Sequence, residues 1–192
     1  MTFSLQMKRA SIKDYRNLLK VFVILLDYGV IRKEKVISWA DSILASENES
    51  EYAFIELSTC ANTHDIIQVL NKNTLDSDSE ITSRAVLGIL YHLLDENKVV
   101  LKNIFETATH ISYEERLTDE EQFLLYRFDE YIDLFENGVF EKLNLFKTNF
   151  EELLGIYKDF KLDNPHQWVT INEKIKQDLQ IKLEAFKSGY HY

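Results

Sequence analysis

The chain has 192 residues, of which 45% are hydrophobic and 28% charged; that is enough apolar material for one sizeable core, and it excludes wholesale disorder. Its 32 acids outweigh 22 lysines and arginines for a net charge of −10, which disfavours direct binding to nucleic acid. One proline and five glycines are too few for many tight β-turns, and one cysteine, Cys60, leaves no internal disulfide to form.

Ser11 with Asp14 three residues on predicts a helix start. Tyr15, Leu18, Leu19, Phe22, Leu25 and Leu26 then recur at helical spacing, and Gly29 supplies a stop. The apolar run from Val21 to Leu26 is far shorter than the ~20 residues that span a bilayer, and MTFSLQMKRA has no signal-peptide pattern. A cytoplasmic protein without membrane contact is therefore expected. Residues 33–47 predict the next helix, with Val36, Trp39, Ala40 and Ile43 on one face. The stretch from Tyr52 to Cys60 fits a strand or a short helix; helix is preferred because no second strand offers itself to pair with its backbone.

Helices follow over 62–72, 79–96 and 99–110. Thr118-Asp119-Glu120-Glu121 matches a capping box, and the helix it opens is predicted to run to Glu136, before Asn137-Gly138. Leu143, Phe146, Phe150, Leu153, Tyr157 and Phe160 alternate in steps of three and four, which predicts one long helix over 143–160. After the break at Asp163-Asn164-Pro165, a last helix carries Trp168, Ile171, Ile175, Leu179, Leu183 and Phe186. The expected architecture is all-α: one domain over residues 1–192, a bundle of about eight or nine helices without internal repeats.

Charge is unevenly distributed along this chain. Residues 1–35 are basic, whereas 41–80 hold Asp41, Glu47, Glu49, Glu51, Glu56, Asp65, Asp76, Asp78 and Glu80 against Lys72 alone. A second acidic block covers 112–137, where nine acids face Arg116 and Arg127. On a continuous helix to Glu136, Gln122, Tyr126, Asp129, Asp133 and Glu136 share a stripe. Such blocks either serve as solvated surface or steer a basic protein partner, for which Tyr52 and Tyr126 would be aromatic anchors. Glu56 stands apart, because Ile55 and Leu57 flank it. A buried carboxylate needs a partner, so it is expected to accept N–H bonds at the start of the next helix or to pair with Arg84.

The signals for chemistry are weak. His64-Asp65 is an HD dipeptide, but an HD-type metal hydrolase needs further His and Asp ligands, and no histidine precedes His64. Helix capping by Asn62 or Thr63, with Asp65 at the positive end, explains the pair better. Cys60 is four residues from His64, but acidic surroundings raise a thiol pKa and suit a small buried hydrophobe. Glu106 and His110 are four apart, not in the Glu-x-x-His spacing of di-iron bundles. With no glycine-rich phosphate loop or nucleophile elbow, no catalytic, cofactor-binding or metal-ligating residue is expected.

Trp39-Ala40-Asp41-Ser42-Ile43, then YAFIELS over 52–58 and Asp65 to Leu70, resembles a W-x-D-x-x-I … I-E-L-S pattern. That pattern is found in small acidic bacterial immunity proteins of the polymorphic-toxin and contact-dependent growth inhibition type. The resemblance covers roughly residues 33–95 and implies a protein that binds a toxin domain and blocks it. Toxin nucleases must bind polyphosphate and are expected to be basic, so Asp41, Glu47, Glu49, Glu51, Tyr52, Glu56, Tyr126, Asp129, Asp133 and Glu136 form the expected partner-binding set. The alternatives are a helical adaptor for another protein and, further off, a metal-dependent hydrolase.

Overall fold

The run from Leu18 to Leu26 is apolar on every side of a helix except at Lys20, so it has no natural solvent face. The structure, a computed structural model, describes residues 11–46, 51–95, 101–114, 116–129 and 140–189. In it the run forms the middle of α1 (Arg16–Asp27) and every residue but Lys20 is buried. Ser11 does cap the entry, accepting from the Lys13 N–H, but the first turn is 3-10, over Ile12–Tyr15. Gly29 leaves the helix in the left-handed region at φ +63°, as its stop role requires.

A second such element is α5 (Ser79–Asp95), buried at every position from Ile81 to Leu90. It packs directly on α1, and these two helices make the centre of the bundle. Each large side chain buried there contributes roughly 1.5–3 kcal/mol against leaving it in water. Around them stand α2 (Lys33–Ser46), α3 (Tyr52–Thr59), α4 (Thr63–Lys72), α6 (Leu101–Ser112), α7 (Asp119–Tyr126), α8 (Phe140–Leu154) and α9 (Trp168–Gly189). The fold is all-α, with nine α-helices and no strand among the described residues. The α2–α3 hairpin meets the centre through α4, which packs on α1, and through Trp39 of α2, whose ring meets Phe22 of α1; α6, α8 and α9 lie against α5, and α7 lies against α6.

The stretch from Tyr52 to Thr59 is a helix, with Phe54 and Leu57 turned inward. Two predicted helices are shorter than their periodicity suggests. The one opened by Thr118 ends at Tyr126, where Phe128 and Asp129 donate i→i−3 bonds to the Leu125 and Tyr126 carbonyls. That turn swings Phe128 inward against Phe150, with ring centroids 4.9 Å apart. The one predicted over 143–160 stops at Leu154 and gives way to a 3-10 turn, Gly155–Tyr157. The chain bends there so that 157–160 can seat on α5 at Gly88, where Tyr157 and Phe160 stay buried without continuing the helix.

Candidate functional site

Helix α3 is amphipathic at close range. Phe54 and Leu57 face inward, and Tyr52, Ile55, Glu56 and Thr59, spaced at i, i+3, i+4 and i+7, share the outer stripe. Tyr52 is 74% exposed and Ile55 44%, large apolar area left in water beside an acid. Glu51 sits at the N-cap position of α3, and its carboxylate accepts the Ile12 N–H at 3.1 Å, which ties it to the entry of α1. On the adjoining α2, exposed Asp41 accepts the Ser58 hydroxyl. Neither Asp41 nor Glu56 makes an ion pair with the described residues. Glu47 and Glu49 lie outside the described residues.

The expected partners of Glu56 are taken by others. Asn62 caps α4 itself, its side chain accepting from the Asp65 N–H at 2.9 Å, and Arg84 is committed elsewhere in the core. Glu56 is half-buried rather than buried, at the edge of the Tyr52 stripe, so solvent solvates its charge and no internal partner is needed.

A second exposed aromatic group stands where α6 ends and α7 runs. Tyr113, Phe123 and Tyr126 are all exposed, Tyr126 by 50%, and the Tyr113 and Tyr126 rings meet edge-on with centroids 6.1 Å apart. The Arg127 guanidinium lies 5.8 Å over the Phe123 ring. Because α7 stops at Tyr126, half-buried Asp129 is in a turn and does not continue the helical face that Gln122 and Tyr126 start. Asp133 and Glu136 lie outside the described residues. The acidic block is also partly neutralised, since Lys187 of α9 pairs with Glu120.

Inside the bundle lies a polar cluster that sequence spacing did not signal. Glu121, fully buried, closes the predicted capping box by accepting the Thr118 N–H at 2.9 Å. The same carboxylate takes both forks of Arg84, at 2.9 and 3.0 Å, and the Tyr157 hydroxyl at 2.9 Å. Arg84 also donates to Glu80 at 2.6 Å and to the Asn172 carbonyl oxygen at 2.9 Å, and Asn172 donates back to Glu80. Burial pulls the Arg84 pKa down, but the hydrogen bonds and charges of Glu121 and Glu80 outweigh it and hold the guanidinium protonated more firmly than usual. The cluster binds α5, α7, α9 and the Gly155–Tyr157 turn together. It is a structural joint.

Tyr157 gives that joint a pH signature. Burial first, then the Glu121 charge and hydrogen bond, push its hydroxyl well above the ordinary value of 10.0. Since the folded pKa is raised, the stability it contributes is complete below about pH 10 and falls as pH climbs toward the native value. Tyr157→Phe is expected to flatten this alkaline loss in denaturant titrations between about pH 9 and 11. An unchanged slope would place the loss on other groups.

A half-open groove of about 1130 Å³ lies between α1, α2, the end of α5 and the turn at 161–166. Its walls are mostly apolar, with Trp39 among them. Expected in the core, Trp39 is half-buried, edge-on to Tyr15 and Phe22. His92 also lines the groove, its Nε2 donating to the Lys158 carbonyl at 2.7 Å.

The weak chemical motifs resolve locally. His64 shares a 2.9 Å hydrogen bond with Gln68 one turn on, at the capped start of α4. Burial, then the charges of Asp65 and Glu56, raise the Cys60 pKa, which disfavours the thiolate a nucleophile needs. Among the described residues no three His, Cys, Asp or Glu side chains are grouped to hold a metal, and no helix is long and apolar enough to cross a membrane. Comparison with known proteins found no matching family model, curated protein or solved structure.

Proposed function

We propose that this protein is an immunity-type inhibitor, which docks a basic toxin domain on its aromatic and acidic surface and blocks that domain without chemistry of its own. One observation carries this reading: exposed Tyr52 and Ile55 with half-buried Glu56 on α3, next to Asp41 on α2, offer an apolar anchor edged by carboxylates without ion-pair partners among the described residues. Interfaces of this kind place their energy in a few aromatic anchors and their steering in the charged rim. Tyr126, edge-on to Tyr113, supplies a second anchor of the same type on α7.

The test is a search of the neighbouring genes for one encoding a basic toxin domain, co-expression of that domain with this chain, and affinity measurement on the purified pair; the lack of any such neighbour would count against the reading. A one-to-one complex that restores growth is expected. Tyr52→Ala is expected to weaken it about 30-fold, a hot-spot loss of ~2 kcal/mol. Asp41→Lys with Glu56→Lys is expected to slow association and reduce its salt dependence. If both changes leave affinity and growth protection untouched, the α3 stripe is ordinary solvated surface and the reading fails.

A further inference from the structure

The groove is cationic, although the chain as a whole is acidic. Arg32, Lys35 and Lys161 line it against a single carboxylate, Asp163, among the described residues, in a chain of net charge −10. All three cations are exposed, and none makes an ion pair with the described residues. The floor between them is apolar and incompletely covered: Ile31, Trp39, Ile43, Leu93 and Leu162 pack on the core yet remain half-buried.

We infer that this groove receives an acidic amphipathic helix from a partner protein, apolar side down on the floor and carboxylates out to the cationic rim. Three features select that occupant. The cations are exposed whereas the apolar residues of the floor are half-buried, so they match charges along the solvent edge of a ligand rather than one buried phosphate. The aliphatic and indole floor fits side chains at i, i+3, i+4 and i+7, the recurring mode of helix-in-groove recognition. The volume of about 1130 Å³ admits on the order of two turns of a helix, ~10 Å across and 5.4 Å per turn. This site takes a ligand of the opposite charge from the surface around Tyr52, and it stands or falls separately from the toxin-binding reading.

The experiment is selection of a displayed library of random helical 14-residue peptides on the full chain. It is followed by affinity measurement of the winners on two variants. Ser42→Trp plugs the groove from a solvent-exposed position of α2, and the triple change Arg32→Glu, Lys35→Glu, Lys161→Glu reverses its rim. All substituted positions are exposed, and circular dichroism confirms folding before binding is measured. Winners rich in Glu and Asp with one apolar face are expected, each weakened at least tenfold by either variant. The inference is overturned if the winners are basic or uncharged, if no peptide is enriched, or if acidic winners bind both variants as well as the parent. It is also overturned if ATP or palmitate binds the groove and no peptide does, since that identifies a small-anion pocket.

Discussion

Arg84→Met is expected to remove about 3–5 kcal/mol of folding free energy, the range for breaking one side of a buried ion pair. Arg84 is 2% exposed and Glu121 0%, so without the guanidinium the carboxylate keeps only the Tyr157 hydroxyl and its capping-box contacts. Neither replaces a positive charge, and water does not reach the site to compensate. Domains of this kind have total stabilities of roughly 5–15 kcal/mol, so the change consumes a large fraction of what holds the bundle together. Urea unfolding followed by tryptophan fluorescence measures it, because Trp168 is buried on α9, which the cluster anchors through Asn172. The double change Arg84→Met with Glu121→Leu removes both charges and is expected to recover most of the loss. A loss below about 1 kcal/mol in the single variant would show that solvent or other groups replace the guanidinium.

Gly88→Ala is expected to destabilise the protein by a net 1–3 kcal/mol or so, although alanine is the better helix former by about 1 kcal/mol. A Cβ at this position would come within 2.3 Å of the Tyr157 carbonyl oxygen and 2.8 Å of the Phe160 Cβ. Both belong to a buried segment rather than to a free side-chain end, so relief requires moving the turn and with it the Tyr157 bond to Glu121. Gly155→Ala provides the contrast. Its Cβ would meet Tyr91 at an ordinary 3.6 Å, so restriction of the unfolded chain is expected to make it neutral or stabilising by up to ~1 kcal/mol. Thermal melts of the two variants should therefore shift in opposite directions, or at least differ by well over 1 kcal/mol. Equal melts would mean that α5 and the 155–160 turn separate more easily than their packing indicates.

What was legible in the sequence was what nearby residues decide together. Asn62 capping α4, the Thr118–Glu121 capping box and the stop at Gly29 all lie within three or four residues of the backbone they serve. The inner faces of α1 and α9 follow in the same way from periodicity, with Leu18, Leu19 and Phe22, or Ile175, Leu179 and Leu183, buried where the pattern puts them. Tyr52 and Tyr126, expected as anchors for a partner, are both exposed, which sets where they stand and not what they bind. Periodicity failed where a tertiary neighbour outbid it: α7 stops so that Phe128 can reach Phe150, and α8 stops so that the following turn can seat on Gly88.

Charge counting along the chain misjudged neutralisation for the same reason. Lys187 reaches Glu120 from 67 residues away, Arg84 meets Glu121 over 37 and Asn172 over 88, and Glu56 is left to solvent. The amino-acid sequence by itself determined the helices, their caps and their buried faces, because those follow from backbone hydrogen bonding and side-chain spacing within one or two turns. Only the tertiary structure decided which charges cancel, where two helices end and that a cationic, half-apolar groove opens in an acidic protein. Coulomb and packing energies depend on distance in space, and the chain sets that distance only once α1 and α5 have brought the other helices around them.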